Sequence, residues 1–157
     1  MNSTVRSANA FVVQGVLWAA FVPLGLWTLS SSRVGGNEGA IAILLRALIA
    51  GSAFWVARSL RRTAALPVPP VAIAAAYPLL AFVSVLHGVS KGVAARSALG
   101  FLKLGEERSG PSILFPDLYY SRHMTGSAQG IVTLAGLALV VGSIMCALRV
   151  GRSRREA

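Results

Sequence analysis

A single arginine, Arg46, interrupts an apolar run that extends from about residue 39 to residue 57. A charge inside a membrane-spanning segment costs about 2.5–3.5 kcal/mol, and such residues usually face the interior of a helix bundle. If the run crosses a membrane, three roles are open to Arg46. It can anchor two helices, contact a partner subunit, or form part of a substrate or ion site.

Small residues recur around Arg46 at spacings of three or four, which places them on one face of a helix. These residues are Gly39, Ala42, Ala50, Ala53 and Ala57. Faces of small residues are typical of close helix contacts in membranes, so we expect Arg46 to point into a seam between helices. Because no acid lies within any apolar run, the acceptor for Arg46 should be a loop acid such as Asp117, a backbone carbonyl or another protein.

The two histidines, His87 and His123, are the candidates for a cofactor site. They lie near the same predicted end of neighbouring spans, and a histidine pair can hold a haem iron or help bind a metal. No third ligand follows at a matching spacing. We therefore predict no metal and no cofactor, with haem binding by His87 and His123 as the weaker alternative. The single Cys146 excludes an intramolecular disulfide and any CxxC site.

Signatures of catalysis are weak in the sequence. A GxSxG spacing occurs at residues 88–92, but it falls at the end of a predicted helical span and not between a strand and a helix, as a nucleophile elbow requires. The sequence contains no HExxH, no Walker-type GxxxxGKS/T and no paired acids within an apolar run. Gly126 and Gly130 instead form a GxxxG spacing at the start of the last apolar run, a weak signal for close helix packing. This pattern favours a protein that is not an enzyme.

Four apolar runs must position all of these residues. They cover about 10–29, 39–57, 71–89 and 128–148. Each is close to the roughly 20 residues that a bilayer core of about 30 Å requires. The composition agrees, with 55% hydrophobic and only 13% charged residues, against about a quarter charged in soluble domains. Backbone in lipid must satisfy its own hydrogen bonds, so we predict an all-α integral membrane protein: a four-helix transmembrane bundle that forms one membrane domain over 1–157.

The third loop, 90–127, is long and carries its own pattern. Residues 91–104 place apolar side chains on one helical stripe and most basic side chains off it. A short helix in the membrane interface fits this pattern. Aromatic residues follow at Phe115, Tyr119 and Tyr120, as is typical of the headgroup level.

The formal net charge of +10 is concentrated at the ends of the apolar runs. The clustered arginines are Arg6, Arg58, Arg61, Arg62, Arg149, Arg152, Arg154 and Arg155. Four spans place all of them on one side, which the positive-inside rule assigns to the cytoplasm. We predict a multi-pass protein of the inner (cytoplasmic) membrane with both termini inside. A cleaved signal peptide is the alternative for the first run, although its apolar stretch exceeds the usual 7–15 residues.

These patterns rank three functions. An accessory or assembly subunit of a larger membrane complex comes first, because small-residue faces occur on at least two predicted helices. A small oligomeric transporter or channel, with Arg46 near an anion path, comes second. A membrane redox or haem protein using His87 and His123 comes third. The expected partners are the lipid bilayer and other membrane subunits or a second copy of the chain. Nucleic acid is not expected, because no basic face with a known binding motif is present.

Overall fold

A computed structural model describes residues 3–31, 36–62, 66–94 and 126–155. These ranges form four helices: α1 (Ser3–Ser31), α2 (Gly36–Arg61), α3 (Pro70–Ala94) and α4 (Gly126–Arg155). The described residues contain no strand. The prediction of an all-α helical bundle is therefore confirmed.

Three of the helices are long and apolar enough to cross a membrane. Their apolar segments are Ser3–Trp27, Ala40–Arg61 and Gly130–Ser153. In α3, which has 25 residues, the apolar segment among described side chains is the shorter Pro70–Leu86. Large apolar side chains such as Leu48, Leu79 and Leu134 are exposed on the outside of the bundle. An extensive apolar exterior fits a lipid environment.

The helices alternate in direction, so that four helix ends meet at one end of the bundle. Ser3 and Ser7 of α1, Leu60 of α2, Val71 of α3 and Val150 of α4 line one cavity there. Within the bundle, α1 packs against α2 and α4, and α4 also packs against α3. The loop between α2 and α3 contains prolines, and Pro70 opens α3, where its missing amide costs no hydrogen bond.

Glycines allow close approach at both of the main seams of α1. A Cβ on Gly15 would lie 2.8 Å from Cε1 of Phe54, so the ring of this α2 residue rests directly on the α1 backbone. A Cβ on Gly142 of α4 would lie 2.7 Å from Cδ1 of Leu17. These contacts explain how a large side chain on one helix fits against its neighbour, as is common in membrane bundles.

Polar side chains connect the helices across the apolar interior. Gln14 of α1 donates from Nε2 to Oγ of Ser143 in α4 at 2.8 Å, and both residues are buried. Ser52 of α2 and Tyr77 of α3 share a hydrogen bond of 2.9 Å between their hydroxyl groups. Interhelical hydrogen bonds of this kind average about 0.6 kcal/mol in a membrane protein. They fix which faces of the helices meet.

The helices extend beyond the predicted apolar runs at the arginine-rich end. Helix α1 begins at Ser3, and α2 ends at Arg61. Hydropathy marks only the part of a helix that lies in hydrocarbon, whereas arginine is a good helix former and continues the helix past it. The predicted interfacial helix at 91–104 lies outside the described residues except for 91–94, which belong to α3.

Candidate functional site

Arg46 lies in the seam between α1 and α2, where none of its surface is exposed. Its Nη1 donates a hydrogen bond of 2.9 Å to the backbone carbonyl oxygen of Phe21. Its Cζ lies 5.8 Å from the centroid of the Phe21 ring, within the range of a cation–π contact. Phe21 of the neighbouring helix thus accepts a hydrogen bond from the guanidinium and also places its aromatic ring near the positive charge.

A proline lies close to the backbone acceptor on α1. Pro23 lies inside the helix, two residues after Phe21. Its missing amide frees the carbonyl of Ala19, four residues earlier, and not that of Phe21. The Phe21 carbonyl instead accepts a hydrogen bond from another helix, because Arg46 donates to it from α2. Of the acceptors that the sequence leaves open, the structure shows a backbone carbonyl.

Gly25 makes the space that the guanidinium occupies. A Cβ at this position would lie 2.8 Å from Nη1 of Arg46 and 3.1 Å from Cγ1 of Ile43. Sequence reasoning missed Gly25. The available signal was a glycine two residues after a proline in the preceding apolar run, where a kink and a close approach to another helix often coincide.

The face of small residues lies on the same side of α2 as Arg46. Ala42, Ala50 and Ala53 are all buried. Gly39 lies in the first turns of α2, but its surroundings are outside the described residues. Ala57 is buried as well, so the structure places Arg46 on one face with four of the five small residues proposed for its seam.

The glycine pair of α4 has a different environment. Gly130 is exposed, and no atom lies within 4 Å of the place where its Cβ would be. Gly126 begins α4, but its surroundings are outside the described residues. Gly130 therefore faces away from the seams that α4 makes with α1 and α3.

The distance between the two histidines lies outside what the structure describes. His87 lies in α3, but its side chain is outside the described residues, as is the whole of His123. Within the four described ranges, no group of three His, Cys, Asp or Glu residues could hold a metal ion.

Two cavities occupy the arginine-rich end of the bundle. One of about 650 Å³ has prolines of the α2–α3 loop and the hydroxyls of Ser3, Thr4 and Ser7 in its wall. The other, of about 430 Å³, lies between α1 and α4 and is lined by three arginines. Arg46 lines neither of them.

The chain matches no protein-family model, and no curated protein or solved structure is significantly similar to it.

Proposed function

We propose that this chain is a non-enzymatic membrane protein that serves as an accessory or assembly subunit of a larger membrane complex. The environment of Arg46 carries the proposal. The residue that is costliest to place in the membrane is fully buried and contacts the carbonyl and ring of Phe21. A backbone carbonyl inside the bundle is a usual partner of an intramembrane charge, and in this contact Arg46 joins two helices of the chain.

The transporter alternative lacks a comparable observation. An anion path would require Arg46 to reach a cavity, and the cavities at the arginine-rich end are lined by other residues. The haem alternative stays a prediction, because the side chains of His87 and His123 lie outside the described residues.

The surface around Gly130 is where we propose that a partner helix packs. Gly130 is exposed, and the space beside it is open. Leu134 and Leu137 are exposed one and two turns farther along α4. A glycine bordered by large aliphatic side chains allows two helices to approach closely.

Gly130→Leu should reduce recovery of the complex at least tenfold after purification in mild detergent, because the added side chain fills the space that a partner helix needs. Ten-fold corresponds to about 1.4 kcal/mol, within the usual cost of overpacking a contact. Gly51→Leu is the matched control, since Gly51 on α2 is also exposed with no atom within 4 Å of its Cβ position.

The measurement is the amount of partner, or of a second copy of the chain, that co-purifies with each variant at matched expression. Loss for Gly130→Leu with full recovery for Gly51→Leu supports a subunit contact on α4. Equal recovery for wild type and both variants would remove this surface from the proposal.

We also propose that both termini face the cytoplasm. The positive-inside rule supports this orientation, since Arg6, Arg61, Arg149 and Arg152 all lie at the end of the bundle where the four helix ends meet.

Single cysteines should report the orientation in a Cys146→Ala background. Cysteines at Ser3 and Ser59 should not react with a membrane-impermeant maleimide applied to intact cells. Cysteines at Ser32 and Ser109, in the predicted outer loops, should react. Permeabilised cells are the control, because Ser3 and Ser59 are partly exposed and should label there. Labelling of Ser59 in intact cells would reverse the proposed orientation.

A further inference from the structure

The groove between the start of α1 and the end of α4 has the chemistry of an anion-binding site. Three arginines line it: Arg6 from α1, and Arg149 and Arg152 from α4. Asn9 and Ser153 add polar groups to the same wall. A cluster of hydrogen-bond donors and positive charges is suited to a phosphate group, which guanidinium groups bind with two parallel hydrogen bonds.

The orientation of Asn9 strengthens this arrangement. Its Oδ1 accepts a hydrogen bond of 2.9 Å from Nη2 of Arg61, which is the last residue of α2. The amide acceptor of Asn9 is thereby used on the α2 side, and its Nδ2 retains two donors. Arg61 thus acts on the groove indirectly, because it holds Asn9 with its donor end available.

The rest of the groove is apolar and is followed by exposed apolar side chains of α1 and α4. Ala10 and Val13 form its floor on α1. Val13 follows Arg6 by seven residues, so both lie on the same side of α1, two turns apart. On α4, Met145 is exposed and precedes Arg149 by one turn. A ligand of this site would have an anionic head at the arginines and an apolar portion along Val13 and Met145.

We propose that this groove binds the phosphate headgroup of one anionic phospholipid, with an acyl chain along the exposed apolar side chains of α1 and α4. Basic pockets between membrane helices at the cytoplasmic side are known to hold anionic lipid headgroups. The site lies at the end of two apolar segments that are long enough to span a membrane. In a bilayer, the lipid headgroups lie at the ends of such segments. The proposal does not depend on the accessory-subunit function.

Native mass spectrometry of the purified chain in neutral detergent tests the proposal. Phosphatidylglycerol should bind in a one-to-one complex at least tenfold more tightly than phosphatidylcholine with the same acyl chains. An arginine near an anionic lipid contributes about fivefold, the equivalent of about 1 kcal/mol. Arg149→Gln/Arg152→Gln should therefore bind phosphatidylglycerol about 30-fold more weakly. Both side chains are exposed, and glutamine is a good helix former, so the helix should be retained.

Arg58→Gln/Arg62→Gln is the matched control, because it removes the same charge from exposed residues at the same end of the bundle. A groove predicts a loss of less than fivefold for this variant, whereas a general attraction to the basic surface predicts equal losses for the two variants. Arg149→Lys/Arg152→Lys should recover part of the binding through charge alone.

Equal losses in both glutamine variants, or equal affinity for the two lipids, would overturn the proposal. Inorganic phosphate distinguishes a lipid site from a site for a free anion. Displacement of phosphatidylglycerol by millimolar phosphate would assign the groove to a soluble anion instead of a lipid. Persistence of the complex under the same conditions supports the contribution of the acyl chain.

Discussion

Arg46→Leu should lower the free energy of unfolding of the bundle by about 2–3 kcal/mol while the chain still inserts into the membrane. The variant loses the hydrogen bond to the carbonyl of Phe21, worth about 1.5 kcal/mol, which is more than the membrane average because the donor is charged. It also loses the contact with the Phe21 ring, worth about 0.5–2 kcal/mol. Insertion itself should improve by about 3 kcal/mol, since leucine is favourable in lipid and arginine is not.

The sign of this effect differs from that expected in a soluble protein. There, replacing buried charges by apolar residues is often neutral or stabilising, because folding removes the charge from water. In a membrane, the arginine loses its hydration when its helix inserts, before the helices pack. The packing step therefore provides only the contacts of Arg46, and the leucine variant lacks them.

Arg46→Lys should keep about half of the stabilisation. Lysine retains the positive charge, but it lacks the planar guanidinium that contacts a carbonyl and an aromatic face together. Arg58→Leu is the control on the same helix, since Arg58 is exposed, and surface substitutions usually change stability by less than about 0.5 kcal/mol. Unfolding in mixed micelles with increasing denaturing detergent measures all three variants.

Wild-type stability for Arg46→Leu would contradict the anchor role. Wild-type stability with loss of complex formation would assign Arg46 to a partner contact. Wild-type stability and assembly with loss of a transport activity would favour the transporter alternative. No change in any of these measurements would mean that the arginine reaches the membrane surface instead of the seam.

The sequence was sufficient to predict the helical class and the direction of Arg46, because both depend on local patterns. Hydropathy marks the apolar segments, and the spacing of Ala42, Ala50 and Ala53 identifies the face that packs. The partner of Arg46 could not be predicted in the same way. Phe21 and Gly25 become neighbours of Arg46 only through the relative rotation and depth of α1 and α2, and these are set by packing.

The basic groove illustrates the same limit of sequence patterns. The arginines at both ends of the chain predict a common side of the membrane, but Arg6 is more than 140 residues from Arg149 in the sequence. Their convergence on one groove depends on which face of α4 meets α1. That face is fixed by Gln14 with Ser143 and by Leu17 over Gly142, contacts that no periodicity within one helix specifies.

Gly25→Ala should destabilise the bundle through Arg46, and the effect should disappear largely in Arg46→Leu. The new methyl group would lie 2.8 Å from Nη1 of Arg46 and 3.1 Å from Ile43, so the guanidinium must leave its position. Overpacking of this kind costs about 1–3 kcal/mol. Alanine also favours a helix over glycine by about 1 kcal/mol, and this gain opposes the loss.

Gly51→Ala separates the two contributions, because Gly51 lies inside α2 with no atom within 4 Å of its Cβ position. Gly25→Ala should be about 1–3 kcal/mol less stable than Gly51→Ala in the wild-type background. Arg46→Leu has no atom at the position of Nη1. In that background, the stability difference between Gly25→Ala and Gly51→Ala should fall below about 1 kcal/mol. The contact of the new methyl group with Ile43 accounts for what is left of the difference. Unfolding of Gly25→Ala and Gly51→Ala, each with and without Arg46→Leu, gives the coupling energy between positions 25 and 46. Residues in direct contact typically couple by about 0.5–3 kcal/mol. Additive effects of Gly25→Ala and Arg46→Leu would show that the guanidinium does not occupy the space that Gly25 leaves open.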